Sequence, residues 1–114
     1  MRHDPSSGIS PTEALSLTRE GALLLDVRED DEWAAGHAAE AVSLPMSRLA
    51  AHVQTLPPDR LIICVCHVGA RSAMVARALR GGGWDAVNLS GGMTAWVAAG
   101  LPVVQHVASR GAVA

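Results

Sequence analysis

The chain has 114 residues, 49% of them hydrophobic and 18% charged, with a formal net charge of -2. That length fits one domain with a single core, and no apolar run approaches the roughly 20 residues that span a bilayer. The nine basic residues, all arginine, are scattered, so the chain offers no electrostatic footprint for DNA or RNA.

The opening MRHDPSSGIS lacks the apolar stretch of a secretory signal. Two cysteines one residue apart, Cys64 and Cys66, do not make the disulfide framework of a small exported fold. A reduced, cytoplasmic setting is the expectation. Residues 1–9 and 105–114 read as loosely held ends around one domain over 10–104.

Ser10-Pro11-Thr12-Glu13 carries an N-cap serine, a proline for the first helical position and a glutamate placed for a capping box, which predicts a helix to about Arg19. ALLLDV (22–27) is a short apolar run ending at Asp26, a buried strand that finishes at a polar edge. EDDEWAAGH (29–37) places acids first and Gly36 near its end, the distribution a helix dipole favours. AVSL (41–44) predicts a brief strand. Leu49, Val53 and Leu56 repeat at near-helical spacing until Pro57-Pro58 ends the pattern.

LIICV (61–65) is the clearest strand, SAMVARALR (72–80) a helix stopped by three glycines, AVNL (86–89) a strand, and MTAWVAAG (93–100) a last helix. Alternating strands and helices with continuous apolar strands predict an α/β fold, a parallel sheet covered on both faces.

Ligands of such sheets gather beyond the carboxyl ends of strands, and Cys66 lies just past LIICV. The amides of His67, Val68, Gly69, Ala70, Arg71 and Ser72 are placed to curl round its sulfur, with Gly69 free to take conformations other residues resist. The following helix, expected to begin near Ser72, adds positive potential and Arg71 a full charge, so Cys66 is expected to ionise more readily than a free thiol. The bland alternative is a small buried side chain beside a turn and an N-cap. Cys64, inside the strand, reads as core filling. His67 with Cys66 makes too few ligands for a zinc site, and neither a metal nor an organic cofactor is expected.

LLLDVREDDEWAAGHAAEAVSLP, CHVGARS and NLSGGMTAW, in that order, resemble single-domain rhodaneses, the rhodanese-like sulfurtransferases, over about residues 12–103. The resemblance implies a three-layer fold with a parallel sheet of about five strands. It implies that Cys66 takes a sulfane sulfur from thiosulfate or a persulfide as its own persulfide, and passes it to cyanide, a small thiol or a protein thiol. Cys66 to Arg71 is six residues, the loop length that goes with sulfur transfer in the family, whereas related phosphatases use a longer one. The resemblance also pairs Asp26 with Arg71 to fix the loop. His67 and Val68 stand where many thiosulfate-using members carry more basic side chains.

Arg28 with Glu32, and His37 after Gly36, read as scaffold. Gly91 and Gly92 would let a second loop approach the first, and Trp33, Trp84 and Trp96 read as packing residues. The rival readings are a cysteine-dependent phosphatase or arsenate reductase, and a non-catalytic binding or regulatory module.

Overall fold

The computed structural model describes residues 8–105. Helix α1 (Pro11–Arg19) starts where the sequence predicts: the Ser10 hydroxyl accepts the Glu13 N–H at 3.2 Å, and Pro11 fills a first-turn position whose N–H has no helical partner anyway. Strand β1 (Leu23–Asp26) follows, then α2 (Asp30–Ala35), β2 (His37–Ala38), β3 (Val42–Ser43) and α3 (Met46–His52), which tightens into a 3-10 turn over Val53–Thr55. Strand β4 (Ile62–Val65), α4 (Ala70–Gly81), β5 (Ala86–Asn88), α5 (Gly92–Ala98) and β6 (Val103–Val104) complete the described chain.

The main sheet is parallel, with four strands in the order β3-β1-β4-β5. The place of a fifth strand beside β5 is held by a single parallel bridge between Ile9 and Leu89. Helix α1 begins two residues later, which leaves no length for pairing to continue. Ile9 falls within the stretch the sequence reads as loosely held, yet it is only 2% exposed. Its N–H donates to Asn88 O and its carbonyl accepts the Ser90 N–H, both at 2.8 Å. Residues 1–7 and 106–114 lie outside the described residues. A second, antiparallel pair, β2 with β6, is not predicted from the sequence.

Side-chain alternation divides the core between the two faces of the sheet. Leu23, Leu25, Ile62 and Cys64 pack with Val75, Ala76 and Leu79 of α4, with Leu49 of α3 against them. Leu24, Ile63, Val65 and Val87 pack with Ala14 of α1 and with Met93 and Trp96 of α5. Burial on both faces explains why β1 and β4 read as unbroken apolar runs. Each such leucine or isoleucine contributes about 1.5–3 kcal/mol of transfer free energy. The tryptophans pack as predicted: Trp96 is buried and donates its Nε1–H to Pro102 O at 3.0 Å, Trp84 packs against the α4 side, and Trp33 stacks on His37 with ring centres 3.4 Å apart.

Candidate active site

Cys66 is the first residue after β4, at the carboxyl edge of the sheet, and only 1% of it is exposed. The chain then turns through His67 and Val68 to Gly69, whose φ of +106° lies in the left-handed region. A side chain there would be strained, so glycine alone closes this turn without penalty. Gly69, not Ser72, is the N-cap of α4, and the helix begins at Ala70. The sequence places its start two residues late because a serine is the commoner cap, whereas here the left-handed turn sets the boundary.

That shift carries a chemical consequence. Ser72 sits in the first turn of α4, where N–H groups have no helical partner, and its N–H donates to Cys66 Sγ at 3.3 Å. The Gly69 N–H donates to the same sulfur at 3.2 Å, and the Ser72 hydroxyl approaches it at 3.2 Å. Burial raises the Cys66 pKa, but the Ser72 hydroxyl and the Ser72, Gly69 and Arg71 amides together outweigh it and hold the thiol below its ordinary value. Cys64, on the same face of β4 and fully buried, is the opposite case. Desolvation pushes its pKa up to about 12, so it stays a thiol.

Two ion pairs lie around the loop. The Arg71 guanidinium grips Glu32 of α2 through two contacts of 2.8 Å. The Arg71 hydrogen bond is the main reason the Glu32 carboxyl is held down at about 2. Asp26 does not pair with Arg71 as the resemblance implies, nor does Arg28 pair with Glu32. Asp26, wholly buried, accepts the Arg28 N–H and Nε–H at 3.0 Å and its Nη2–H at 2.8 Å, and Arg28 also donates to Gly36 O at 2.7 Å. The buried carboxylate takes the nearest guanidinium, two residues on, and staples the end of β1 to the end of α2. Arg71 then finds the exposed-side acid.

The second glycine loop supports the first, as the sequence predicts. The Met93 and Thr94 N–H groups donate to Cys66 O at 2.8 Å and His67 O at 3.0 Å. A Cβ on Gly92 would stand 2.4 Å from Cys66 O. Sequence reading misses one residue here, Asn88 at the end of β5. Its Nδ2–H donates to Gly69 O at 3.2 Å and its Oδ1 lies 2.5 Å from the Ser72 hydroxyl. Its position directly before the glycine loop was the available signal. His67 and Val68 are exposed on the rim, and His67 borders a groove of about 420 Å³ shared with Arg28, Glu32, Thr94 and Val97.

Among the described residues no group of three or more histidine, cysteine or acidic side chains is placed to hold a metal ion, and no helix is long and apolar enough to cross a membrane. Chemically, the arrangement can hold a thiolate in an anion-stabilising cradle.

The family model for the rhodanese-like domain matches residues 10–99. A protein of Allochromatium vinosum named sulfurtransferase is 38% identical over 86 residues, which cover 75% of this chain and 80% of that one. The thiosulfate sulfurtransferase GlpE of Pseudomonas entomophila is 35% identical over 77% of this chain and 82% of its own length. Among solved structures, a rhodanese-related protein from Thermoplasma volcanium superposes with a TM-score of 0.79 at 30% identity, covering 85% of this chain and 96% of that one.

Proposed function

We propose, from the premise that this chain belongs to the rhodanese-like domain family, that it is a sulfurtransferase in which Cys66 carries the transferred sulfur. The observation that bears most weight is the convergence of the Gly69 N–H, the Ser72 N–H and the Ser72 hydroxyl on one sulfur atom, all within 3.3 Å.

The reaction has two halves. The Cys66 thiolate attacks the outer sulfur of thiosulfate or of a persulfide. An S–S bond forms to Sγ, the donor's bond to that outer sulfur breaks, and its electron pair leaves with sulfite or a thiolate. An acceptor nucleophile, cyanide or a small or protein thiol, then attacks the same outer sulfur, and the pair returns to Sγ. The cradle favours both the thiolate and the persulfide anion because its donors are fixed before charge arrives. Gly92 and the α5 amides hold the Cys66 and His67 carbonyls in place, and Glu32 with Arg71 ties the loop to α2. The small, nearly closed setting of Sγ suits a donor whose reacting end is a single sulfur atom better than a tetrahedral phosphate.

Steady-state rates with thiosulfate and cyanide, each varied at several levels of the other, should give the parallel double-reciprocal lines of a ping-pong reaction, and Cys66→Ser should be inactive while folded. Turnover retained in Cys66→Ser, or phosphate-ester hydrolysis without sulfur transfer, would overturn the reading.

A further inference from the structure

The Ser72 hydroxyl has one proton and two claimants. Its oxygen lies 2.5 Å from Asn88 Oδ1 and 3.2 Å from Cys66 Sγ. A hydroxyl donates one hydrogen bond and accepts others, so the two contacts cannot both be donations at full strength. Which oxygen or nitrogen of Asn88 faces Ser72 is settled by its other contact: Nδ2–H donates to Gly69 O at 3.2 Å, which leaves Oδ1, an acceptor, toward the hydroxyl. Ser72 is fully buried and Cys66 nearly so, which keeps water from arbitrating between them.

We propose that Asn88 is a positioning residue that sets the charge state of Cys66 through Ser72, its Oδ1 holding the Ser72 proton while Cys66 is a thiol and yielding it to the sulfur when Cys66 ionises. In the thiol state the bonds run one way, from the Cys66 S–H to Ser72 Oγ, from the Ser72 O–H to Asn88 Oδ1, and from Asn88 Nδ2–H to Gly69 O. In the thiolate state the Cys66 proton has left to solvent, and the Ser72 hydroxyl turns to the sulfur beside the Ser72 and Gly69 amides. Asn88 Oδ1 then loses its donor. Asn88 thus works against ionisation, and the resting cysteine is less charged than its cradle alone would make it. A cysteine tuned this way keeps more nucleophilicity than a fully acidified one, because thiolate reactivity falls as the pKa falls.

The other charged and titratable groups around Cys66 are accounted for. Asp26 and Arg28 at the end of β1 neutralise one another, as do Glu32 of α2 and Arg71 of α4. Cys64 on β4 is held as a thiol, and His67 is exposed on the loop itself. Neither β5 nor α5 carries a titratable side chain.

The inference rests on Cys66 being the sulfur-carrying nucleophile, but its test needs no sulfur donor. The rate of iodoacetamide alkylation is measured against pH on the full chain for wild type, Asn88→Ala, Ser72→Ala and the double variant, with Cys64 shielded by burial. Asn88→Ala should move the midpoint down by about half to one pH unit, roughly three to ten times more thiolate at a fixed pH below it. The same substitution in the Ser72→Ala background should move it by less than about a third as much, because no proton remains to be shared. Asn88→Asp, which keeps the shape of the side chain, should move the midpoint up. An unchanged or raised midpoint in Asn88→Ala, or an equal shift with and without the Ser72 hydroxyl, would overturn the proposal, the latter by showing that Asn88 acts only through Gly69. A wild-type protein that alkylates normally but carries no sulfur would instead defeat the functional reading and leave this proton-sharing test intact.

Discussion

Replacing Gly92 with alanine places a methyl group where the two loops touch. The new Cβ would lie 2.4 Å from Cys66 O and 2.6 Å from both the carbonyl carbon and the oxygen of His67. Ordinary contact begins near 3.4 Å, so one loop must retreat by about 1 Å, and the obstacle is backbone, which cannot rotate aside. Retreat stretches the Met93 N–H to Cys66 O and Thr94 N–H to His67 O hydrogen bonds, each contributing about 1 kcal/mol. The φ of +59° adds a further cost of about 1 kcal/mol for a residue with a Cβ. The sum, about 2–4 kcal/mol, is a large part of the roughly 5–15 kcal/mol that holds a domain together. It should lower the melting temperature by about 8–20 °C in a domain of this size. Because the displaced atoms belong to Cys66 and His67, thiol alkylation at neutral pH should also slow by several-fold or more. Gly81→Ala is the matched control: nothing lies within 4 Å of its Cβ and its backbone is helical, so it should be neutral or stabilising by up to about 1 kcal/mol. Thermal melts and alkylation rates for both variants decide the matter. A Gly92→Ala protein with a wild-type melt and a wild-type alkylation rate would mean that the two loops do not depend on this close approach.

Glu32→Gln leaves Arg71 without its charged partner; because the pair is about one-third exposed, the stability loss should stay near or below about 1 kcal/mol, while sulfur transfer drops by about three- to tenfold through a looser loop. The Glu32 carboxyl is depressed to about 2 in the folded chain, so its contribution is present above its unfolded pKa, is lost as pH falls towards 2, and should vanish from urea-melt pH profiles of Glu32→Gln. For Cys64 the sign is reversed. Its pKa is raised to about 12, so the native state should weaken as pH climbs from about 9 toward 12, and Cys64→Ala should flatten that loss while retaining transfer. Asp26→Asn strands the Arg28 guanidinium, itself only 7% exposed, and should destabilise by about 3–5 kcal/mol in chemical denaturation.

The parts of the fold written in consecutive residues were the parts legible from sequence. LLLD and IICV announce buried parallel strands because both their faces are covered. Ser10-Pro11 announces α1 because its cap is made by its own neighbours. Cys66 and its six-residue loop are local in the same sense. Pairings between distant segments were not legible. Nothing in the sequence says that Arg71 meets Glu32, 39 residues away, instead of Asp26, since all three are simply charged residues until the fold brings α2 beside the loop. The Asn88 contacts with Ser72 and Gly69 are hidden for the same reason, although its place before the glycine loop marks the residue. The β2–β6 pair escapes because two residues show no periodicity, and Gly69 escapes as the helix cap because its role depends on a backbone angle, not a side chain.

Whether Cys66 carries the sulfur is read from intact mass after the reduced protein is exposed to thiosulfate or glutathione persulfide and the excess is removed. Wild type should gain one sulfur atom that is discharged by cyanide or a thiol, and Cys66→Ser should gain none. Failure of both donors to load wild type, or an equal gain in Cys66→Ser, would contradict it.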